Sequence, residues 1–373
     1  MTASATAAAP RLHYLDALRS FCMLFGILVH TATLDGAEWL STGSTTISEH
    51  FRMATFFVIS GFFALMMLDK RGLRGFARHR ALSLVLPLAS ALVLLNPVTL
   101  WLVYQVQTGP VGLGDFLRGD FPAPARPLNW HLHLWFLFTL IAYMALCPGL
   151  SPLLRTRPLA RLLDWLATRP ATVFAGLVAA LMITGEIAGR ALFALLFEPV
   201  VGDTPVSWLF RATLQYAPYF ILGAAAWTHR PFFEALHRVS WPLVALGLAL
   251  SVLRPLAGLG GGLGTAFEIV AEETLTVALA MALFSLSRRW LSAPRASVAA
   301  LNDAVYSIYL LHYLLIYALA VWVFGDLRPH WLQFIVICLA TFALAFTLHR
   351  LVIRPVPLLY LLFNGKRRLA PGR

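Results

Sequence analysis

Of the chain's 373 residues, 59% are hydrophobic and only 12% carry charge, with a mean hydropathy of +0.75; soluble globular proteins carry about 25% charged residues. So few polar groups cannot cover a water-soluble fold of this size, which excludes a soluble globular domain. The net charge of +12 would suit nucleic acid, but the basic residues fall between apolar runs, the pattern of membrane topology.

Apolar runs of about 20 residues, enough to cross a bilayer at 1.5 Å per residue, recur along the chain. They predict an all-α polytopic membrane protein with about ten transmembrane helices. The runs lie near 15–34, 52–69, 81–105, 133–151, 171–188, 207–228, 240–257, 265–287, 302–323 and 332–352. Residues 1–10 read as a disordered tail, 11–366 as one membrane domain and 367–373 as a basic cytoplasmic tail. A cleavable signal peptide is not expected, because the first apolar run is long enough to span and no small-residue cleavage site follows it. Cys22, Cys147 and Cys338 lie in apolar runs without metal-ligand spacing, so packing is expected of them and no metal site is expected.

The first helix, LDALRSFCMLFGILVH, spaces Asp16, Arg19, Met23, Gly26 and His30 three and four residues apart, on one helical face. Arg19 and His30 are then roughly 20° from eclipsed and about 16 Å apart along the axis. Asp16 can pair with Arg19. Arg19 also suits snorkelling to lipid phosphate, and His30 suits a helix-end hydrogen bond. Ionisable groups inside a membrane are costly, however, and mark functional sites by default.

The second helix starts at Arg52 and carries Ser60 and Gly61 near mid-span, where small residues let helices approach closely. After it, FARHR sets Arg78 and Arg80 just before a helix kinked at Pro87; basic groups there suit phosphates, whether of a ligand or of lipid. Residues 106–132 form the longest external loop. In NWHLHLWFL, Trp130 and Trp135 fit an interfacial belt, while His131 and His133 point to different helix faces and so do not share one metal. Segment 186–206 is ambiguous, with Arg190–Phe197 readable as a short interfacial helix. Glu268, Glu272 and Glu273 open the eighth span and need water, a partner or protonation. Tyr306, Ser307, Tyr309 and His312 make the ninth span too polar to face lipid.

Lys70, Arg71, Arg74, Arg78 and Arg80, then Arg155, Arg157, Arg161 and Arg169, mark one set of loops. Arg11, Arg230 and Arg238, Arg288, Arg289 and Arg295, and the C-terminal basic residues from Arg354 belong to the same set. The opposite set holds Asp35, Glu38, Glu49, Asp115, Asp120, Asp203 and Asp326. The positive-inside rule places the first set and both termini in the cytoplasm. No Walker loop, GxSxG elbow or zinc signature occurs.

In order along the chain, LDALRSF…H, FFVISGFF, FARHR before Pro87, HLWFL and YSIYLLH resemble the membrane-bound acyltransferase family 3 from Leu15 to Lys366. QYAPYFILGAAAW and LLYLLFNGK look most like its periplasmic-glucan succinyltransferase group. The resemblance implies a multi-pass protein of the bacterial inner membrane. It further implies transfer of an acyl group, succinyl in that group, from cytoplasmic acyl-CoA to a carbohydrate hydroxyl across the membrane, with acyl-CoA as co-substrate and no resident cofactor. Implied partners are the donor, the glucan acceptor and the bilayer; a homo-oligomer or glucan-synthesis partners stay open, and nucleic acid is not expected.

By the resemblance His30 takes the catalytic histidine position and Arg19, with Asp16, the paired basic one. The acid that would hold the His30 tautomer is left open among Glu268, Glu272 and Glu273. Arg78, Arg80, Arg52, Ser60, His133, Trp135, Tyr306, Tyr309 and His312 are the candidates for substrate binding. A thioester is already activated, so the chemistry required is a base for the hydroxyl and charge for the oxyanion. Histidine has the intrinsic pKa for that base. The competing expectations are a proton-coupled transporter, which would move substrate without consuming a donor, and a non-enzymatic scaffold.

Overall fold

The computed structural model describes residues 12–34, 37–124, 128–202, 204–256, 258, 260–325 and 327–367. The expected tail 1–10, Arg11, Asp35, Asp203, Asp326 and the expected basic tail beyond Arg367 lie outside the described residues. All regular structure among the described residues is helical. The first half comprises α1 (His13–Leu24), α2 (Gly26–Thr31), α3 (Glu38–Glu49), α4 (Arg52–Arg80), α5 (Leu86–Ser90), α6 (Asn96–Gln107), α7 (Leu113–Arg118), α8 (Trp135–Leu154) and α9 (Arg157–Ala167). The second comprises α10 (Ala171–Leu192), α11 (Glu198–Val201), α12 (Pro205–Thr228), α13 (Arg230–Ala235), α14 (Trp241–Leu256), α15 (Gly261–Leu291), α16 (Ala296–Trp322), α17 (His330–Leu348) and α18 (Pro357–Asn364).

Six helical stretches of the described residues are long and apolar enough to cross a membrane: 38–107, 132–154, 171–201, 261–291, 296–322 and 330–353. The difference from the expected ten has visible causes. The first stretch is not one rod, because Gly72 sits at φ +64° inside α4 and turns the chain there; this left-handed backbone costs glycine little and other residues more. The first predicted span is divided at Phe25 into α1 and α2. α14 is a shorter apolar helix, and α12 carries Arg211, Thr213, Gln215, Tyr216 and Tyr219 along its length.

Four π-helical turns, Ala81–Val85, Ala91–Leu95, Phe193–Phe197 and His349–Ile353, share one cause. Each ends two residues before a proline, at Pro87, Pro97, Pro199 and Pro355. Proline has no N–H to give and its ring crowds the carbonyl four residues back, so the helix widens locally instead of breaking. The ambiguous segment 186–206 is settled the same way. α10 runs through the turn before Pro199 into α11, so Arg190–Phe197 is not a separate interfacial helix.

The core centres on α1, α4, α12 and α16. α4 and α12 touch backbone to backbone: a Cβ at Gly61 would overlap the Phe220 carbonyl, and one at Gly223 the Val58 carbonyl. This is the close approach expected of Gly61. Around it Phe57, Tyr143, Phe220 and Tyr216 lock together, with Phe57–Tyr143 rings 5.5 Å apart and Tyr143–Phe220 rings 4.8 Å apart.

Candidate active site

His30 lies near the C-terminal end of α2, where the Thr33 hydroxyl donates to its carbonyl at 2.6 Å and meets Tyr317 OH at 2.9 Å. Its imidazole is enclosed by His312, His133 and Tyr313, at ring separations of 5.1, 5.9 and 5.0 Å. His133 precedes α8 in a single 3-10 turn, Leu132–Leu134, and its ring stacks on Tyr313 at 4.9 Å. The turn separates the two neighbouring histidines as expected, for the His131 ring instead stacks on Trp208.

The backbone carbonyl of Tyr309 fixes the protonation pattern of the cluster. It accepts from His133 Nε2 at 3.1 Å and from His312 Nδ1 at 2.6 Å, while the Tyr309 hydroxyl donates to the His133 carbonyl at 2.6 Å. A carbonyl can only accept, so these two nitrogens carry the protons. In the neutral rings His133 Nδ1 and His312 Nε2 are the lone-pair nitrogens, and both are buried without a hydrogen-bond partner. The pocket beside His30 therefore presents proton acceptors.

Arg52, the first residue of α4, reaches the same point. A Cβ built on Gly26 would lie 2.9 Å from Arg52 Nη1, 3.9 Å from His30 Cδ2 and 4.0 Å from His312 Nε2. Glycine at position 26 thus leaves the space in which guanidinium and imidazoles converge. Arg52 Nε is buried without a partner, and its charge lies at the positive end of the α4 dipole. Cys22, Met23, Phe56, Trp135, Phe136 and Tyr309 complete the pocket walls.

A second cavity, of about 390 Å³, begins where this pocket ends. Met23, Phe56 and Phe136 line both. From there the cavity passes Ser60, Tyr306, Leu140 and Met144 to a polar mouth with Asp16, Arg19, His79, Arg80, Asn302 and Lys366. Arg19 pairs with Asp16 at 3.4 Å and lies over the Phe63 ring. Arg80 Nε and Tyr306 OH are buried without partners. Lys366 is held by Asp303 at 2.8 Å, a carboxylate that also takes hydrogen bonds from Tyr360 at 2.7 Å and from His349 at 3.4 Å.

On the other side of the His30 pocket, Trp135 belongs to a third cavity of about 420 Å³, lined also by Trp208, Glu186, Arg190, Glu198 and Arg211. Gln215 and Tyr216 connect it to an acidic cavity of about 430 Å³ that holds Glu49, His50, Glu272 and Glu273.

The structure thus gathers His30, Arg52, His133, Trp135 and Tyr309 in one pocket, with the His312 ring beside His30, and Asp16, Arg19, Ser60, Arg80 and Tyr306 in the adjoining cavity. Arg78 is exposed and does not line that cavity. The expected carboxylate beside His30 is not among the three candidates. Glu273 accepts the Tyr219 hydroxyl, Glu272 lines the acidic cavity, and Glu268 lines neither His30's pocket nor that cavity; imidazoles surround His30 instead. Sequence reasoning passed over Tyr313, Asp303, His349, Lys366 and Glu186. Only the Glu186–Arg190 spacing of four residues left a signal, that of a helix-surface ion pair.

A half-buried histidine and an arginine meet in a pocket between two cavities, in a chain whose long apolar helices mark a multi-pass membrane protein. The chain belongs to the acyltransferase family whose profile, described as "Acyltransferase domain", matches residues 12–350. It is a membrane acyltransferase for groups other than amino-acyl groups, and therefore works in a bilayer on an acceptor substrate. Among its relatives are proteins named Glucans biosynthesis protein C from Escherichia coli K12, O157:H7 and O9:H4 (strain HS). Each is 27% identical over 376 aligned positions, covering 96% of this chain and 95% of the relative. No solved structure matches the chain.

Proposed function

We propose that this protein is a bacterial inner-membrane O-acyltransferase that takes an acyl group from cytoplasmic acyl-CoA and places it on a carbohydrate hydroxyl at the opposite face, with succinyl as the acyl group and a periplasmic glucan as the acceptor. The observation that carries the reading is the shared wall of Met23, Phe56 and Phe136. A donor whose phosphates sit at Arg19 and Arg80 can lay its thioester arm along that wall to His30, about 16 Å farther along the first helix. Arginine suits the phosphates through its planar donors. The names of the Escherichia coli relatives support a glucan-related acceptor. Both termini are cytoplasmic in this reading, and α1–α2, α12, α14 and the two halves of the stretch divided at Gly72 complete a set of about ten crossings.

His30 removes the acceptor hydroxyl proton as that oxygen attacks the thioester carbonyl. The resulting oxyanion forms beside Arg52, whose fixed charge is strongest in a site that excludes water. Collapse breaks the C–S bond, and the leaving thiolate takes the proton from His30. His312, whose ring lies 5.1 Å from that of His30, takes the orienting role expected of a carboxylate.

The test is mass spectrometry of periplasmic glycans from cells carrying the wild-type protein, His30→Ala or no protein. An added acyl mass seen only with wild type supports the proposal and names the group. Identical profiles, with both proteins present in the membrane, overturn the glucan assignment, and glycan export without donor consumption would mark a transporter.

A further inference from the structure

We infer that the cavity between Trp135, Trp208 and Glu186 is a binding site for a neutral saccharide, the place where the acceptor chain is held before transfer. The inference rests on the acyl-transfer reading above and adds a site to it. Trp135 lines both this cavity and the His30 pocket, so a ligand seated here ends within reach of the reacting groups. Along α8 the order is unambiguous: Trp135 faces this cavity, Phe136 the donor wall, and Leu140 and Met144 the basic cavity. The two large cavities therefore adjoin the His30 pocket at different residues, one at Trp135 and the other at Met23, Phe56 and Phe136.

Their electrostatics differ in the way two substrates would require. At the donor-side mouth Arg19 pairs with Asp16 and Lys366 with Asp303, which leaves Arg80 as one cation in excess, a positive balance that suits polyanionic phosphates. In the saccharide cavity each cation has its own carboxylate. Arg190 donates to Glu186 at 2.7 Å, and Arg211 pairs with Glu198 at 3.2 Å while lying over the Phe193 ring. The lining is dense in hydrogen-bonding groups yet balanced in charge, which fits a hydroxyl-rich uncharged ligand better than a phosphate or carboxylate.

Glu186 supplies the feature aimed at a ligand. The residue is 4% exposed, one carboxylate oxygen takes the Arg190 hydrogen bond, and the other, Oε2, is buried with no partner. A buried carboxylate oxygen left without a donor is costly, and a sugar hydroxyl would satisfy it. The two indoles, 4.9 Å apart and nearly perpendicular at 85°, offer an apolar face and an edge, the surfaces against which the C–H faces of a pyranose pack. Trp208 is 44% exposed, so its face is open. A volume of about 420 Å³ falls within the usual range for small-ligand sites.

The experiment is isothermal titration calorimetry on the full chain in lipid nanodiscs, with glucose tetrasaccharides of α-1,4, β-1,3 and β-1,4 linkage as one probe set and coenzyme A as the other. Wild type is expected to bind at least one tetrasaccharide. Trp208→Ala and Glu186→Gln should each weaken that binding about tenfold, the equivalent of 1.4 kcal/mol, while Trp208→Phe, which keeps a ring, loses less. Coenzyme A affinity should stay at the wild-type value in all three, which also shows that they fold. The inference is overturned if no tetrasaccharide binds wild type, or if Trp208→Ala and Glu186→Gln bind as wild type does. A parallel transfer assay separates the two readings. Glycan acylation with an unchanged KM in both variants removes the saccharide site and leaves acyl transfer standing. Variant-sensitive saccharide binding without any acylation by wild type does the reverse.

Discussion

Replacing Arg52 with methionine should make the protein more stable and inactive. Arg52 is half-buried, with Nε cut off from water, and no carboxylate pairs with it among the described residues. It also opens α4, where the helix dipole opposes a cation by about 0.3–1 kcal/mol. Desolvating an unpaired ion costs several kcal/mol more, reduced here because the guanidinium faces a small cavity beside His30. Methionine keeps the length and flexibility of the side chain and fits the apolar neighbours Met23, Met53 and Phe56. We expect Arg52→Met to raise stability by about 1–3 kcal/mol. Transfer should fall by about 10²–10³-fold, as when an oxyanion donor is removed. Thermal unfolding in detergent, read by a thiol-reactive dye on the buried Cys22 and Cys147, measures the first quantity; acyl release from acyl-CoA measures the second. A variant destabilised by more than about 1 kcal/mol would refute the reasoning, because Arg52 would then be a structural cation with its cost already offset. Retained transfer would refute the oxyanion role.

The other expectations concern the parts that position this site. His30→Gln should lower transfer by about 10²–10⁴-fold with an unchanged unfolding midpoint; a shifted midpoint with retained turnover would make His30 a packing residue. Gly26→Ala places a methyl group 2.9 Å from Arg52 Nη1 and should reduce turnover through displacement of a flexible side chain, with less than about 1.5 kcal/mol lost in the same thermal assay. Gly61→Ala meets backbone instead, with Ala224 N and the Phe220 carbonyl carbon at 2.9 Å. It should cost about 1–3 kcal/mol and be the more destabilising of the two. Asp303→Asn removes the carboxylate shared by Lys366, Tyr360, His349 and Arg354; a loss of about 1–3 kcal/mol and a weaker coenzyme A affinity are expected, both readable by calorimetry.

What the sequence disclosed about the site follows from helical periodicity. Asp16, Arg19, Met23, Gly26 and His30 share a face because 3.6 residues complete a turn, and Met23 does line both the cavity of Arg19 and the pocket of His30. Ser60 and Gly61 were readable as small residues near mid-span, and one is a cavity wall and the other a backbone contact. What stayed hidden required two distant segments to meet. No local pattern pairs His133 with the Tyr309 carbonyl 176 residues away, or Lys366 with Asp303 63 residues away. Composition also misleads where a helix is used rather than merely buried. α12 reads as a span in the sequence yet falls outside the six sufficiently apolar stretches, and its polar residues Arg211, Gln215 and Tyr216 are those that face the cavities.

In the proposed mechanism, a His30 pocket lined by no carboxylate among the described residues bears on how His30 would act as a base. A carboxylate partner would favour the imidazolium and hold a permanent negative charge close to the oxyanion as it forms. Among the described residues the neighbours of His30 are imidazoles that donate to the Tyr309 carbonyl, and Arg52 is the charged side chain that lines the pocket. In the proposed mechanism the field of Arg52 acts on the developing oxyanion. The same cation would repel an imidazolium, so in that mechanism the proton taken by His30 would pass onward to the departing thiolate. On this argument a carboxylate introduced by His312→Asp should retain proton as imidazolium at His30 and slow transfer more than the uncharged His312→Asn, a difference that single-turnover measurements on the two variants would show.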